Sequence, residues 1–151
     1  MNDDVKIVVR GVLDRIEDEN IDGNEASLIG QALEKLCGGS WNVITYPSCE
    51  SEIGYTSSYL NWRGKQWVYA EQTTNTSYNA NRIISFMKME FGWAKIKDMT
   101  MVQQSAYTKI NRKFEGTWRV HVAKLEHGYS WSFHGTVWES DGYTFFIYPI
   151  A

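Results

Sequence analysis

Residues 116–122, Gly-Thr-Trp-Arg-Val-His-Val, decide the fold because the chain carries a close relative of them earlier, Gly-Ser-Trp-Asn-Val at 39–43. The two stretches are 77 residues apart in a chain of 151. In the later stretch, apolar side chains alternate with Arg119 and His121, which predicts a strand with one apolar face and His121 on the polar face. The repetition indicates an internal duplication.

Matching residues on both sides of the tryptophans support a duplication. At the same offset, Leu33 aligns with Ile110. Further along, Gly-Tyr-Thr-Ser-Ser-Tyr (54–59) aligns with Gly-Tyr-Ser-Trp-Ser-Phe (128–133) at an offset of 74. Such drift is typical of loops, which tolerate insertion and deletion. The alternative is two unrelated halves that share common strand and cap residues.

An apolar run opens each half of the chain. Val5–Leu13 and Arg82–Met89 contain β-branched residues, which favour strands. A short helical region, 14–24 in the first half and 91–98 in the second, is expected to follow each run.

The main helix of each half has an apolar stripe and clear ends. The spacing of apolar residues over 25–37 predicts a helix that Asp22 or Asn24 caps and that Gly38-Gly39 ends. A similar spacing predicts a second helix over 100–115, with its first residue as the cap.

Three strands are expected after each main helix, the first being the tryptophan strand. Hairpin turns are indicated at Arg63-Gly64-Lys65 and at Ser140-Asp141-Gly142. The strands that flank these turns are predicted at 55–62, 66–70, 129–138 and 143–148.

The predicted fold class is therefore α+β: two tandem strand-helix-helix-strand-strand-strand units, packed as a pseudo-two-fold dimer within one chain. The first unit is expected at 1–72 and the second at 82–151, with the polar stretch 73–81 as a linker. One unit alone has a marginal core, and two copies can pack sheet against sheet. The chain is expected to be a monomer that acts as a pseudo-dimer.

Composition narrows the classes of partner. Lys and Arg number 15 against 18 Asp and Glu, with no basic stripe, so nucleic acid is not expected. The acidic N-terminus does not resemble a signal peptide and no apolar run could span a membrane, so we expect a cytoplasmic protein without a membrane partner. Cys37 and Cys49 are expected to be unpaired core thiols, and a disulfide between them is the alternative.

Neither a catalytic nor a metal-binding pattern is present in the sequence. His121, His127 and His134 are six and seven residues apart, which is not a metal spacing, so exposed or groove-lining histidines are predicted. The acidic run 14–22 lacks the alternating ligands of a calcium loop. Nucleophile and phosphate-loop motifs are missing too, so we predict a non-enzymatic protein without cofactor or metal.

Three stretches of the second half resemble the eight-kilodalton dynein light chain family. They are Asn-Arg-Lys-Phe-Glu-Gly-Thr-Trp at 111–118, His-Gly-Tyr-Ser-Trp-Ser-Phe at 127–133, and a hairpin turning at Gly142. In that family a long helix leads into a Thr-Trp strand, then a Gly-Ser/Tyr strand, then a hairpin. Tctex-type light chains share the fold and suit the hairpin equally well. Trp41 and Gly64 repeat the spacing in the first half.

The resemblance implies a binding hub. Family members are swapped homodimers that take short extended segments of partner proteins into two grooves by strand addition. Partners of this kind would be the dynein intermediate chain or other components of a dynein, axonemal or cytoskeletal assembly. The implied peptide-binding residues are Gly54, Tyr55, Thr56, Ser57, Ser58, Tyr59, Trp62, Gly128, Tyr129, Ser130, Trp131, Ser132, Phe133 and Trp138.

The two implied grooves should differ from each other. Ser57 and Trp131 hold the same groove position with very different side-chain sizes. Two other functions remain open from the residues alone. One is a structural protein that self-assembles through aromatic edge strands, and would grow with concentration. The other is a carbohydrate-binding module, which would need several solvent-exposed tryptophans.

Overall fold

The computed structural model describes residues 1–21, 23–47, 59–74, 77–93, 95–124 and 130–150. These residues form helices and strands in the order α1 (Asp3–Glu19), α2 (Glu25–Cys37), β1 (Ser40–Pro47), β2 (Tyr59–Trp62), β3 (Gln66–Thr73), α3 (Ala80–Phe91), α4 (Met99–Lys113), β4 (Trp118–Lys124), β5 (Ser130–Ser132), β6 (Thr136–Ser140) and β7 (Tyr143–Pro149). The predicted α+β class is confirmed. Contacts divide the chain into two compact units, and β5 belongs to the first of them.

The first unit is an antiparallel sheet packed against α1 and α2. Its strand order is β2-β3-β1-β5, and β1 pairs with β3 from Ser40↔Thr73 to Pro47↔Gln66. The core draws on both helices and on one face of the sheet: Val5, Val9, Leu13, Ala26, Ile29, Leu33, Trp41, Val43, Leu60, Trp62, Val68 and Ala70.

In the second unit the described residues form a three-stranded sheet, in the order β4-β7-β6, which packs against α3 and α4. Strand β4 pairs with β7 from Trp118↔Pro149 to Lys124↔Tyr143. Its core has the same plan: Ile83, Phe86, Met87, Phe91, Met99, Ala106, Ile110, Trp118, Val120, Val122, Trp138, Tyr143, Phe145 and Ile147.

The second face of the β4–β7 pair is buried as well. His121 is only 1% exposed and stands opposite Phe146 of β7, which is fully buried. The prediction of an exposed or groove-lining His121 is therefore wrong. Alternation of apolar and polar residues predicts which face a side chain is on, but here both faces are covered.

The strands predicted at the start of each half are wrong, because α1 and α3 occupy those positions. Val5, Val9 and Leu13 recur every four residues and are all buried, so they form one helical stripe. The side chain of Asn2 accepts a hydrogen bond from the amide of Val5, which starts the helix at Asp3. Helical periodicity over 17 residues outweighs the local strand preference of β-branched side chains.

The main helices lie close to their predicted positions. Helix α2 has the predicted bounds, and the Asn24 side chain caps it by accepting from the amide of Ser27 at 3.0 Å. Helix α4 begins one residue earlier than predicted because Asp98 is its cap, accepting from the amide of Met101 at 3.1 Å. It ends at Lys113.

Both predicted hairpin turns are confirmed. Arg63 and Gly64 have φ of 53° and 66°, and Asp141 and Gly142 have φ of 53° and 79°. Two successive positive φ values are typical of the turn that matches the twist of antiparallel strands. The strand predicted over 129–138 is instead two strands, β5 and β6, which belong to different sheets.

The tryptophan at the start of the strand that follows each main helix makes the same hydrogen bond in both units. Trp41 Nε1 donates to the carbonyl oxygen of Gly38 at 2.8 Å, and Trp118 Nε1 donates to that of Glu115 at 2.8 Å. Gly38 and Glu115 are 77 residues apart, like the tryptophans themselves. In both units the indole therefore fixes the passage from the main helix into the following strand.

The predicted linker at 73–81 overlaps the ends of two elements. Strand β3 runs to Thr73 and α3 begins at Ala80. Cys37 is a free and exposed thiol rather than a core residue, and Cys49 lies outside the described residues. Within the described ranges, no helix is both long enough and apolar enough to cross a membrane.

Two closely packed glycines should respond oppositely to replacement by alanine. A Cβ at Gly30 in α2 would stand 3.7 Å from its nearest neighbours, including Ser132 Oγ, whereas a Cβ at Gly135 would lie 2.7 Å from the carbonyl oxygen of Ile147. We expect Gly30→Ala to stabilise the fold by up to about 1 kcal/mol through helix propensity. Gly135→Ala should destabilise it by about 1–3 kcal/mol through overpacking.

Urea unfolding followed by circular dichroism measures both glycine changes. Each variant serves as the control of the other, since both add a single methyl group. A destabilised Gly30→Ala chain would contradict the packing described at α2, and an unchanged Gly135→Ala chain would contradict the close approach of β7.

Candidate functional site

Strand β5, here called the exchanged strand, comes from the second half of the sequence but completes the sheet of the first unit. It pairs antiparallel with β1 in the register Val43↔Ser132, Ile44↔Trp131 and Thr45↔Ser130. In the described chain it is the last strand on its side of the sheet. The first unit therefore already holds one strand that is added from elsewhere in the sequence.

The start of the exchanged strand is held by its first side chain. Ser130 Oγ accepts a hydrogen bond from the backbone amide of Ala26 at 3.2 Å. Ala26 lies in the first turn of α2, where backbone amides have no partner within the helix. The same hydroxyl contacts Thr45 Oγ1 of β1. One serine thus joins the exchanged strand to both the helix and the sheet of the first unit.

The residues after the exchanged strand are held in the same way. The amide of His134 donates to Asn42 Oδ1 at 2.8 Å, and Asn42 is fully buried in β1. The His134 Nε2 atom is 2.8 Å from Glu34 Oε1 of α2. The exchanged strand is therefore fixed at both ends, each time to α2 and to β1.

Between these two attachments the strand presents side chains of alternating size. Ser132 approaches Gly30 of α2, so a small residue meets a residue without a side chain. Trp131 is 39% exposed, which is high for a tryptophan in a strand, and Phe133 is half-buried. Of the predicted groove residues, Ser130, Trp131 and Ser132 form the exchanged strand and Phe133 directly follows it, and their role in peptide binding stays a prediction.

Other predicted site residues lie elsewhere. Tyr59 and Trp62 are in β2, at the other end of the same sheet, where Tyr59 packs on Trp67 with ring centroids 4.9 Å apart. Trp62 is a core residue of the first unit. Trp138 is in the core of the second unit, 5.2 Å from the ring of Phe145. A role for these three in peptide binding stays a prediction.

Half of the predicted site lies outside the described residues. These residues are the predicted groove strand of the first half and the first two residues of the predicted groove strand in the second half. Their role stays a prediction: Gly54, Tyr55, Thr56, Ser57, Ser58, Gly128 and Tyr129.

Two of the residues that anchor the exchanged strand, Asn42 and Glu34, were not predicted from the sequence, and each is an ordinary surface residue by type. Two others were singled out in the sequence: Ser130 is a predicted groove residue, and His134 is exposed, one of the two alternatives predicted for it. One signal was available: Ser-Trp-Ser at 130–132 places two small hydroxyl side chains on one face of a strand and a large ring on the other. That pattern is typical of a strand packed closely against a helix.

The polar groups around the exchanged strand hold it in place. They are hydroxyls, amides and one His–Glu pair. Among the residues that the structure describes, no three His, Cys, Asp or Glu side chains converge as a metal ion requires. No family model matches this chain, and comparison with curated proteins and with solved structures finds no match either.

Proposed function

We propose that the chain is a non-enzymatic, cytoplasmic hub that binds short extended segments of other proteins by strand addition. The observation that carries the proposal is the exchanged strand, because the sheet of the first unit accepts three residues from a distant part of the chain as an added strand. Adding a peptide to a sheet uses the same main-chain hydrogen bonds.

The proposal extends to the architecture of a tandem light-chain-like pseudo-dimer. Light chains of the dynein type exchange a strand between two subunits, and a fused pair would exchange it between two halves of one chain. Two observations support this: the exchanged strand itself and the matched hydrogen bonds of Trp41 and Trp118. The helix-helix-strand order that opens each half supports a duplication, although it lacks the opening strand of the predicted unit.

Specificity in this proposal comes from the side chains that flank the exchanged strand. Trp131 offers a large, partly exposed ring, and tryptophan is among the residues that most often dominate binding energy at interfaces. Ordering an extended peptide costs affinity, so each contact is weak and a second groove strengthens binding through multivalency. The partners are segments of dynein intermediate chain type or of other cytoskeletal components.

A fluorescence-anisotropy titration tests the proposal with a labelled peptide that carries Thr-Gln-Thr, the core of the segments bound by the eight-kilodalton dynein light chains that this chain resembles. We expect saturable binding, which Trp131→Ser weakens about tenfold through loss of about 1.4 kcal/mol. Met101→Ser is the matched control, because Met101 is 68% exposed and lies on α4 of the other unit. Failure of the unmodified chain to bind, or equal losses in the two variants, would contradict strand addition at β5.

The two other functions make different predictions. A protein that assembles through its strand edges would grow in mass with concentration in sedimentation experiments, without any peptide. A carbohydrate platform needs several exposed tryptophans, but of the seven, all of them described, only Trp93 and Trp131 are exposed. Trp131 lies in the first unit and Trp93 in the second.

A further inference from the structure

A groove lies on the helical side of the second unit, between α3 and the last turn of α4. It has a volume of about 300 Å³ and is lined by Phe86, Met89 and Phe114 together with the cations Arg82 and Lys113. Met89 is 69% exposed, and the Phe86 and Phe114 rings meet edge to face with centroids 5.6 Å apart. We call it the basic groove.

The first unit has an equivalent groove of opposite character, between α1 and the end of α2. Its volume is about 500 Å³, and its lining includes Asp4, Ile7 and Leu36. A shift of 77 residues places Lys113 on Leu36 and Arg82 on Val5. Both cations of the basic groove are therefore replaced by apolar residues in its counterpart, whose charged side chain is an aspartate.

Charge on the surrounding helices follows the same division. Helices α3 and α4 carry five Lys or Arg against one Glu, a net charge of +4. Helices α1 and α2 carry four against eight, a net charge of −4. Since the chain as a whole is close to neutral, at −3, this separation is a local property of the two helix pairs.

The cations of the basic groove are available to a ligand. Arg82 and Lys113 are both exposed, and neither is in an ion pair with any residue that the structure describes. The guanidinium of Arg82 stands 5.8 Å from the centroid of the Phe114 ring, so it lies beside the aromatic lining of the groove. The Glu90 carboxylate is already paired with Lys109 at 3.0 Å.

We propose that the basic groove binds an acidic peptide segment of a partner protein that carries an apolar anchor side chain. Carboxylates of the segment would pair with Arg82 and Lys113, since arginine binds carboxylates through two parallel hydrogen bonds. The anchor would pack between Phe86, Met89 and Phe114, because methionine adapts to ligands of different shape. A volume of about 300 Å³ accommodates such an anchor but not a large ligand.

This binding surface is independent of the exchanged strand, which belongs to the other unit. The two proposals can therefore fail separately. A Trp131→Ser chain should bind the acidic peptide as well as the unmodified chain does.

The test is a titration of fluorescein-labelled Glu-Asp-Leu-Phe-Asp-Glu by anisotropy at low salt. We expect Arg82→Glu combined with Lys113→Glu to weaken binding at least tenfold. The matched control is Lys95→Glu combined with Lys97→Glu, which changes the net charge equally at two exposed positions outside the groove lining and should change affinity less than twofold. The chain with Arg82→Lys and Lys113→Arg keeps both positive charges and should retain binding. A loss of affinity in the charge-reversed chain can then be assigned to charge rather than to misfolding.

Three outcomes would overturn the proposal. Equal losses in the two charge-reversed chains would indicate a non-specific charge effect. Equal affinity for the neutral peptide Gln-Asn-Leu-Phe-Asn-Gln would remove the role of the cations. Binding to phosphatidylserine vesicles through the same two residues, without binding to the peptide, would assign the groove to a membrane surface instead.

Discussion

Replacing Trp118 by alanine is expected to lower the free energy of unfolding by about 3–5 kcal/mol, the usual cost of removing a large buried ring. The side chain is 4% exposed and packs edge to face on Tyr78, with ring centroids 5.0 Å apart. Its Nε1 atom also donates to the backbone carbonyl oxygen of Glu115, two residues after the end of α4. The change removes both the packing and the hydrogen bond that fixes the start of β4.

Urea unfolding followed by far-ultraviolet circular dichroism measures this loss. Trp93→Ala is the matched control, because Trp93 is 81% exposed and its removal should change stability by less than about 0.5 kcal/mol. Trp118→Phe should fall between the two, since it keeps a buried ring but loses the donor. A Trp118→Ala chain as stable as the Trp93→Ala chain would contradict the core described for the second unit.

Acid should destabilise the protein well before its carboxylates are protonated, because of His121. Burial lowers the pKa of this imidazole from its ordinary value of 6.5 to about 3. Below pH 6.5 the unfolded chain therefore binds a proton that the folded chain does not. Stability should fall by about 1.4 kcal/mol per pH unit from 6.5 towards 3, or about 2 kcal/mol at pH 5. Above pH 6.5 this residue contributes no pH dependence.

The comparison that isolates His121 is the difference in unfolding free energy between pH 7.5 and pH 5. In His121→Phe this difference should shrink by about 2 kcal/mol, whatever the change does to stability at pH 7.5. His134→Gln removes an exposed imidazole but leaves His121 in place, so it should keep the acid-sensitive slope. If this difference in unfolding free energy is unchanged in His121→Phe, the buried imidazole is not the source of the acid sensitivity.

Local signals were enough to predict part of the fold. Helix α2 has a regular apolar stripe, an asparagine cap and terminal glycines, so all its determinants lie within about fifteen residues. The turns at Arg63-Gly64 and Asp141-Gly142 are equally local, because a glycine supplies one of the two positive φ values in each. In these places propensity, capping and periodicity all favour one structure.

Where local signals conflict, tertiary packing decided the result. The run at Val5–Leu13 is rich in β-branched residues, yet its four-residue repeat is buried as a helix stripe. His121 looks polar in the sequence but lies in a strand buried on both faces. Composition cannot reveal how many faces of a strand are covered, because that depends on the rest of the fold.

The strand at the candidate site was predictable in position, but its pairing was not. The observed strand Ser130–Ser132 falls within the strand predicted over 129–138, whereas a binding groove at Ser130 to Phe133 stays a prediction. Their pairing with β1 and their anchors on α2 could not be predicted, because Thr45 and Ser130 are 85 residues apart. Three-residue strands carry too little periodicity to specify a distant partner.

The exchanged strand also constrains the order in which the molecule can form during synthesis. A ribosome has made β1, β2 and β3 long before residues 130–132 appear, so the sheet of the first unit must wait, incomplete, for the exchanged strand. Closing so long a loop is slow, because its entropy is lost before the contacts form. Nascent chains that stop before residue 130 should therefore be bound by chaperones, because they expose an unpaired strand edge. This holds although every residue of α1, α2, β1, β2 and β3 is already present.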